Sequence, residues 1–180
     1  MKALPRGVFD RIVAEHGGNK HTKGFGCWDQ LVAMVYGQLA GAPSLRTLEA
    51  GFNSQHTHHY HLGTRTVRRS TLADANRTRN TEVFADVARA LMGQAQRKLR
   101  HEGEELLYLL DSTSLTLKGR GFDEWAAAHR TRNQGIKLHM LYDGHTQTPI
   151  HHSFTAANVN DVEEGAKLKI EPQAIYVFDK

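Results

Sequence analysis

The sequence predicts an α+β protein: an all-α bundle over residues 1–101, then a smaller α/β part over residues 102–180 in the order strand, strand, strand, helix, strand. Three observations predict this. In the front half, apolar residues recur at helical spacing between glycine-containing stops. In the back half, Leu106-Leu107-Tyr108-Leu109-Leu110 and Ala174-Ile175-Tyr176-Val177-Phe178 are continuous apolar runs of strand length, the pattern of strands buried on both faces. Charge divides at the same place. Residues 1–101 carry 15 Lys+Arg against 7 Asp+Glu, a balance of +8, and residues 102–180 carry 8 against 12, a balance of −4; the two sum to the chain's +4.

Each element follows from local pattern. Val8, Phe9, Ile12 and Val13 form a first apolar stripe, closed by Gly17-Gly18. Trp28, Leu31, Val32, Val35 and Leu39 fall at i, i+3, i+4, i+7 and i+11, an amphipathic helix stopped by Gly41-Ala42-Pro43. Ser44 is suited to cap a short helix carrying Leu45, Leu48 and Phe52. A polar stretch from Asn53 to Arg69 follows, after which Ser70 is placed to cap a helix through about Arg77. The longest helix runs from about Glu82 to Leu99, with Phe84, Val87, Ala88, Leu91 and Ala95 on one face. Beyond the acidic boundary at residues 101–105, Ile136, Leu138 and Met140 alternate with Lys137 and His139 in a half-buried strand that turns at Asp143-Gly144. Ile150 to Phe154 is a third strand, Asn160-Asp161 can cap a helix through Lys169, and Pro172 separates that helix from the last strand.

Composition bounds the function classes. At 180 residues, with 23% charged and 39% hydrophobic residues, the chain is an ordinary globular protein able to bury a core. No apolar stretch approaches the length needed to cross a bilayer, and Met1 to Arg6 lacks the apolar centre of a signal peptide. The single cysteine, Cys27, excludes an internal disulfide and fits a reducing cytoplasm; beside Trp28 on an apolar helix it reads as core. The basic front half would be attracted to a polyanion and the acidic back half suits a cation, although chance partition of surface charge would look the same.

The chemistry-bearing residues are Asp111 and Asp179, each directly after one of the apolar runs. Carboxylates at the ends of neighbouring strands can hold divalent cations such as Mg²⁺ or Mn²⁺, which phosphodiester chemistry uses to neutralise charge and activate an oxygen nucleophile. Strand-end aspartates also simply begin turns, and each taken alone fits that role. His56-Thr57-His58-His59-Tyr60-His61 raises the question of zinc, but a polar loop with a local excess of histidine explains it better.

The order of these elements resembles the RNase H-like core of DDE transposases. Leu110-Asp111-Ser112-Thr113, the segment Thr131 to His139, and Tyr176-Val177-Phe178-Asp179-Lys180 are similar to successive blocks of the transposases of bacterial insertion sequences. In the front half, Leu4-Pro5-Arg6, Trp28-Asp29-Gln30, Gln38-Leu39-Ala40-Gly41 and the segment Arg69 to Arg77 resemble the helical domain that precedes that core in one branch of them. The resemblance implies that Asp111 and Asp179 are the first and second catalytic acids and metal ligands, with Mg²⁺ or Mn²⁺ as cofactor. It implies double-stranded DNA, both element ends and target, as substrate, cleaved and transferred by direct transesterification. It further implies self-association in the transposition complex and a cytoplasmic, nucleoid-associated location. The family's third acid is a glutamate in a later Tyr-Arg-Glu-Lys signature, and Glu163, Glu164 and Glu171 precede the second aspartate and do not match it. The expectation is a chain cut inside a motif at Lys180 and inactive by itself; the alternative is a non-enzymatic DNA-binding protein, a regulator or a truncated transposase competing for the same ends.

Candidate DNA contacts are spread over both halves. Arg68, Arg69, Ser70, Thr71, Asn76, Arg77 and Arg79 lie on or beside the helix near residues 70–77, which could be a recognition helix because arginine reads guanine and asparagine reads adenine bidentately. Paired with the helix around Leu45 it would make a helix-turn-helix, with an overlong connection; a plain basic bundle helix fits equally. Lys137 and His139 share one strand face and could reach a DNA phosphate near the metals, or that face could be solvated or covered by a helix. Asp161 is expected to serve the cap of its helix.

Overall fold

The computed structural model describes residues 4–99, 106–117 and 135–178. The chain divides into two compact units, residues 1–88 and 89–180, and the division falls within a helix. Each unit is described by itself.

The first unit is helical: α1 (Arg6–Glu15), α2 (Cys27–Leu39), α3 (Leu45–Ser54), α4 (His56–Leu62), α5 (Arg69–Thr78) and the start of α6 (Glu82–Leu99). Gly17, at φ 60° beyond α1, and Gly41, at φ 60° beyond α2, take the left-handed conformation that ends a helix without Cβ strain. Ser44 caps α3 as expected, its Oγ accepting the Thr47 N–H at 3.1 Å. The core gathers Phe9, Ile12, Val13, Trp28, Val32, Leu48, Phe52, Val67, Leu72, Val83 and Val87. Gly37 is needed for the approach of α3 to α2, since a Cβ there would lie 2.5 Å from Leu48 Cδ1.

Three local expectations are corrected. The inward face of α2 is Trp28, Asp29, Val32, Ala33 and Gly37, whereas Val35 and Leu39 are exposed. Small Ala33 and Gly37 admit neighbouring segments, so the contact follows size rather than hydrophobicity. The polar stretch 53–69 contains α4, with His59 buried, its Nε2 3.0 Å from Phe52 O and its ring stacked on Phe52 at 4.4 Å. Ser70 does not cap α5; Arg68 occupies the cap position, without a side-chain hydrogen bond, and Ser70 lies inside the helix.

The second unit carries a four-stranded mixed sheet of order β3-β2-β1-β4: β1 (Leu107–Thr116), β2 (Gly135–Asp143), β3 (Thr148–Ala156) and β4 (Ile175–Phe178). β1 and β2 are antiparallel, as are β2 and β3, while β4 runs parallel to β1 and is reached through α7 (Asp161–Gly165). This is the strand order and direction of the front of an RNase H-like core. The β2–β3 turn is closed by Asp143, whose Oδ1 accepts N–H groups from His145 at 3.0 Å and Thr146 at 3.1 Å. α7 is shorter than the expected helix through Lys169; its fifth residue, Gly165, sits so close to Leu110 that a Cβ would lie 3.2 Å from Leu110 Cδ2.

The sheet is not buried on both faces. One face packs Tyr108, Leu110 and Leu141 against Leu106, Ile150, Leu168, Ala174 and Tyr176. The other leaves Leu109, Leu115, Phe154, Ile175 and Val177 exposed. Continuous apolar runs report what each face is fit for, and only packing partners decide whether it is covered.

Candidate functional site

Asp111 does not end its strand. It is the fifth of ten residues in β1, opposite Met140 of β2. Because side chains alternate across a sheet, Asp111 shares the open face with Leu109, while Ser112, opposite His139, points to the closed face. The carboxylate of Asp111 is exposed and its Oδ1 accepts the Ser112 N–H at 2.7 Å, which fixes the side chain on a rigid strand. An exposed oxygen donor on rigid backbone fits a hard cation. The parallel register pairs Leu107 with Ile175 and runs to Leu110 opposite Phe178. Asp179 lies outside the described residues. Among the described residues no group of three His, Cys, Asp or Glu side chains converges to hold a metal ion.

Lys137 and His139 occupy the closed face, under α7, on the other side of the sheet from Asp111. His139 is 1% exposed, with Nε2 2.8 Å from Thr155 Oγ1 and Nδ1 2.8 Å from Asp161 Oδ1. The buried His139 ring therefore lies directly against the Asp161 carboxylate. Lys137 Nζ lies 3.5 Å from the same carboxylate oxygen and donates to Val159 O at 3.2 Å. The structure therefore gives these two side chains to the helix-covered alternative and does not bring them to Asp111.

Asp161 is likewise more than a cap residue. Asn160 caps α7, its Oδ1 accepting the Glu163 N–H at 2.7 Å, which leaves the Asp161 carboxylate for the sheet. Burial pushes the Asp161 carboxyl up, but hydrogen bonding from Ser112 and the charges of Lys137 and His139 outweigh it, and the net direction is down. Glu164 is also held down, first by the Lys167 ammonium at 2.7 Å and then by Ser153, against its burial. Sequence reading passed over Ser112, Thr155 and Glu164 as members of this cluster, since nothing in their spacing shows which strand faces meet α7.

In the first unit, α5 is held by its own polar residues. Asn76 Oδ1 accepts from Gln30 Nε2 at 2.7 Å. Arg79 donates to Gly26 O at 2.8 Å, to Gln30 Oε1 at 2.8 Å and, in a very short contact, to Phe25 O, with its guanidinium 5.3 Å from the Phe25 ring. Arg68, Arg69, Ser70 and Arg77 are exposed, and Arg77 pairs with Asp74 at 3.3 Å. Thr71 is half-buried. On a 3.6-residue helix, Arg69, Ser70, Ala73 and Arg77 form one outward stripe. α3 and α5 are not a helix-turn-helix pair in sequence, because α4 lies between them.

The block Trp28-Asp29-Gln30 explains why α5 sits where it does. Trp28 Nε1 donates to Leu62 O at 2.8 Å, beneath the Arg6 guanidinium at 4.3 Å. Asp29 accepts the Gly26 N–H at 2.9 Å and the Thr64 hydroxyl at 2.8 Å. Gln30 bridges Asn76 and Arg79. Three consecutive residues thus tie the end of α4, the start of α2 and α5 together. Sequence reading also missed Lys20, His21 and Lys23, which line a cavity beside α5; three such residues within four positions were a visible signal.

Comparison with known proteins finds a match in each half of the chain. Residues 102–180 match the transposase DDE domain family, and residues 1–65 match a domain family of unknown function, DUF4372. The protein described as "Putative transposase y4zB" of Sinorhizobium fredii is 42% identical over 109 residues, 61% of this chain and 30% of that protein's own length. No solved structure matches the chain. No helix among the described residues is long and apolar enough to cross a membrane. Residues 102–180, which carry a sheet of RNase H-like order, thus match the transposase DDE domain family, and a second matched domain precedes them.

Proposed function

We propose that this chain takes part in DNA transposition, its first unit binding duplex DNA and its second supplying Asp111 and Asp179 to a divalent-metal site for strand cleavage and transfer. The observation that carries this reading is the register: β1 and β4 run parallel, and Leu110 opposite Phe178 are the residues immediately before the two aspartates. Mg²⁺ or Mn²⁺ at such a site would neutralise the phosphodiester and lower the pKa of an attacking oxygen. Asp111 contributes a carboxylate oriented by the Ser112 N–H, on the face of the sheet that α7 leaves open. These two aspartates are two of the three acids the family uses. In the first unit, Arg68, Arg69, Ser70 and Arg77 are the exposed candidates on α5 for DNA contact, with Thr71 half-buried beside them, whereas Asn76 and Arg79 hold the helix in place. The setting is the bacterial cytoplasm at the nucleoid, with two copies pairing the element's ends.

Thermal unfolding with and without Mn²⁺ tests the metal site. A raised midpoint that Asp111→Asn and Asp179→Asn each remove supports the reading. No cation effect in the unchanged chain would favour the binding-only alternative.

A further inference from the structure

We infer that the cavity between the 17–25 loop and α5 is a binding site for a backbone phosphate of duplex DNA, held by Lys20, His21 and Lys23. The inference rests on the reading of the first unit as DNA-binding and adds a location that α5 alone does not supply. The cavity has a volume of about 530 Å³. The three basic side chains lie along its loop wall, and from the other Thr71 supplies a hydroxyl and Asn80 an amide, while the Thr78 hydroxyl donates to Asp74 O at 2.7 Å. A phosphate diester is recognised by such a set: ammonium groups for its charge, short polar side chains for its oxygens, and no need for base-specific geometry.

The charge balance of the lining favours an anion. Lys20, Lys23 and Arg79 stand against Asp74, whose carboxylate already pairs with Arg77 at 3.3 Å. The count is three positive against one negative before any protonation of His21. Arg79 lines the cavity but its guanidinium is occupied by Phe25 O, Gly26 O and Gln30 Oε1, so the loop residues are left to meet the ligand. The lining offers no exposed Phe, Tyr or Trp on which a base could stack, Phe25 being buried. This points to the sugar-phosphate backbone rather than a free nucleotide.

The loop is also held in shape. Lys20 N donates to Gly17 O at 2.9 Å, Thr22 N to Asn19 O at 3.1 Å, and Asn19 Oδ1 accepts the Cys27 N–H at 2.8 Å. His21 takes φ 62°, a left-handed turn position in which histidine is among the better-tolerated residues. Cationic side chains on a backbone already fixed lose less entropy on binding than those on a loose loop.

The test is duplex affinity of the full chain and of Lys20→Ala/Lys23→Ala across a series of salt concentrations. Both lysines are exposed, so the variant keeps the fold. The cavity holds one phosphate, and a lost phosphate contact lowers the steepness of log Kobs against log salt by about 0.9, so the double variant should lose about 0.9 and bind about tenfold more weakly at 0.1 M salt. An unchanged slope with normal wild-type binding overturns this inference alone. Failure of the unchanged chain to bind duplex overturns the DNA-binding reading and this inference together. Inorganic phosphate is added at matched ionic strength in a second arm. Displacement of duplex no better than by chloride supports the polymer backbone, and displacement by millimolar phosphate assigns the cavity to the free anion.

Discussion

The two faces of the sheet, built from the same strands, have opposite fates. On one, Tyr108, Leu110 and Leu141 close into a core and His139 is sealed beneath α7. On the other, Leu109, Leu115, Phe154 and Val177 stand between 39% and 52% exposed beside Asp111. The difference teaches where a charge must be paired and where a carboxylate stays accessible. The closed face can hold charges only by pairing them, as Lys137 and Asp161 do beside His139, and such charges are structural. The open face keeps a carboxylate accessible to a cation. Residues two apart in β1 share a face, and residues one apart do not, so Asp111 and Ser112 belong to different tasks.

The sharpest way to break this comparison is to truncate matched side chains on both faces. Tyr108→Ala on the closed face should cost about 3–5 kcal/mol and Leu110→Ala about 2–5 kcal/mol in urea unfolding. Leu109→Ala, one residue away on the open face, should cost well under either. Equal losses on the two faces would show that the open face is covered in solution.

Next in size is the charged cluster. Asp161→Asn should destabilise by about 1–3 kcal/mol, because it leaves the buried His139 and Lys137 without their carboxylate. The folded-state pKa of Asp161 lies below its ordinary value, so its contribution is present at neutral pH and lost as pH falls through the carboxylate range. The unfolding midpoint of the unchanged chain should therefore decline between about pH 5 and pH 3 more steeply than that of Asp161→Asn. Parallel declines would show that the cluster is not what anchors α7.

The smallest effect is expected at Asp111 itself. Asp111→Asn without added cation should change stability by no more than about 0.5 kcal/mol, since the side chain is exposed and its contact is to its neighbour's N–H. A large loss would make Asp111 a structural residue and remove the ground for separating the faces by task.

Much of the architecture was legible in the sequence. Helical spacing between glycine stops located α1, α2, α3 and α6, the Ser44 cap held, and strand-length apolar runs located β1 and β4. The errors have one physical origin. The Leu39 side of α2 was read as buried because Val35 and Leu39 are apolar, yet Ala33 and Gly37 offer the closer approach. Ile136, Leu138 and Met140 were read as the inward face of β2, yet it is Leu141 and His139 that are buried, because α7 lies on their side. The histidine-rich stretch was read as a loop because its composition is polar; as α4 it needs only His59 to reach Phe52.

Sequence by itself determined the order of elements, the point at which charge and periodicity change, and the aspartates that follow the two apolar runs, because these depend on local spacing and residue chemistry. Tertiary structure decided which side of each element meets a partner. That choice placed Asp111 on the open face and Lys137 and His139 on the closed one, and it committed Asn76 and Arg79 to holding α5 against α2. Periodicity states that two faces differ; only the packed neighbour on one side decides which of them is inside.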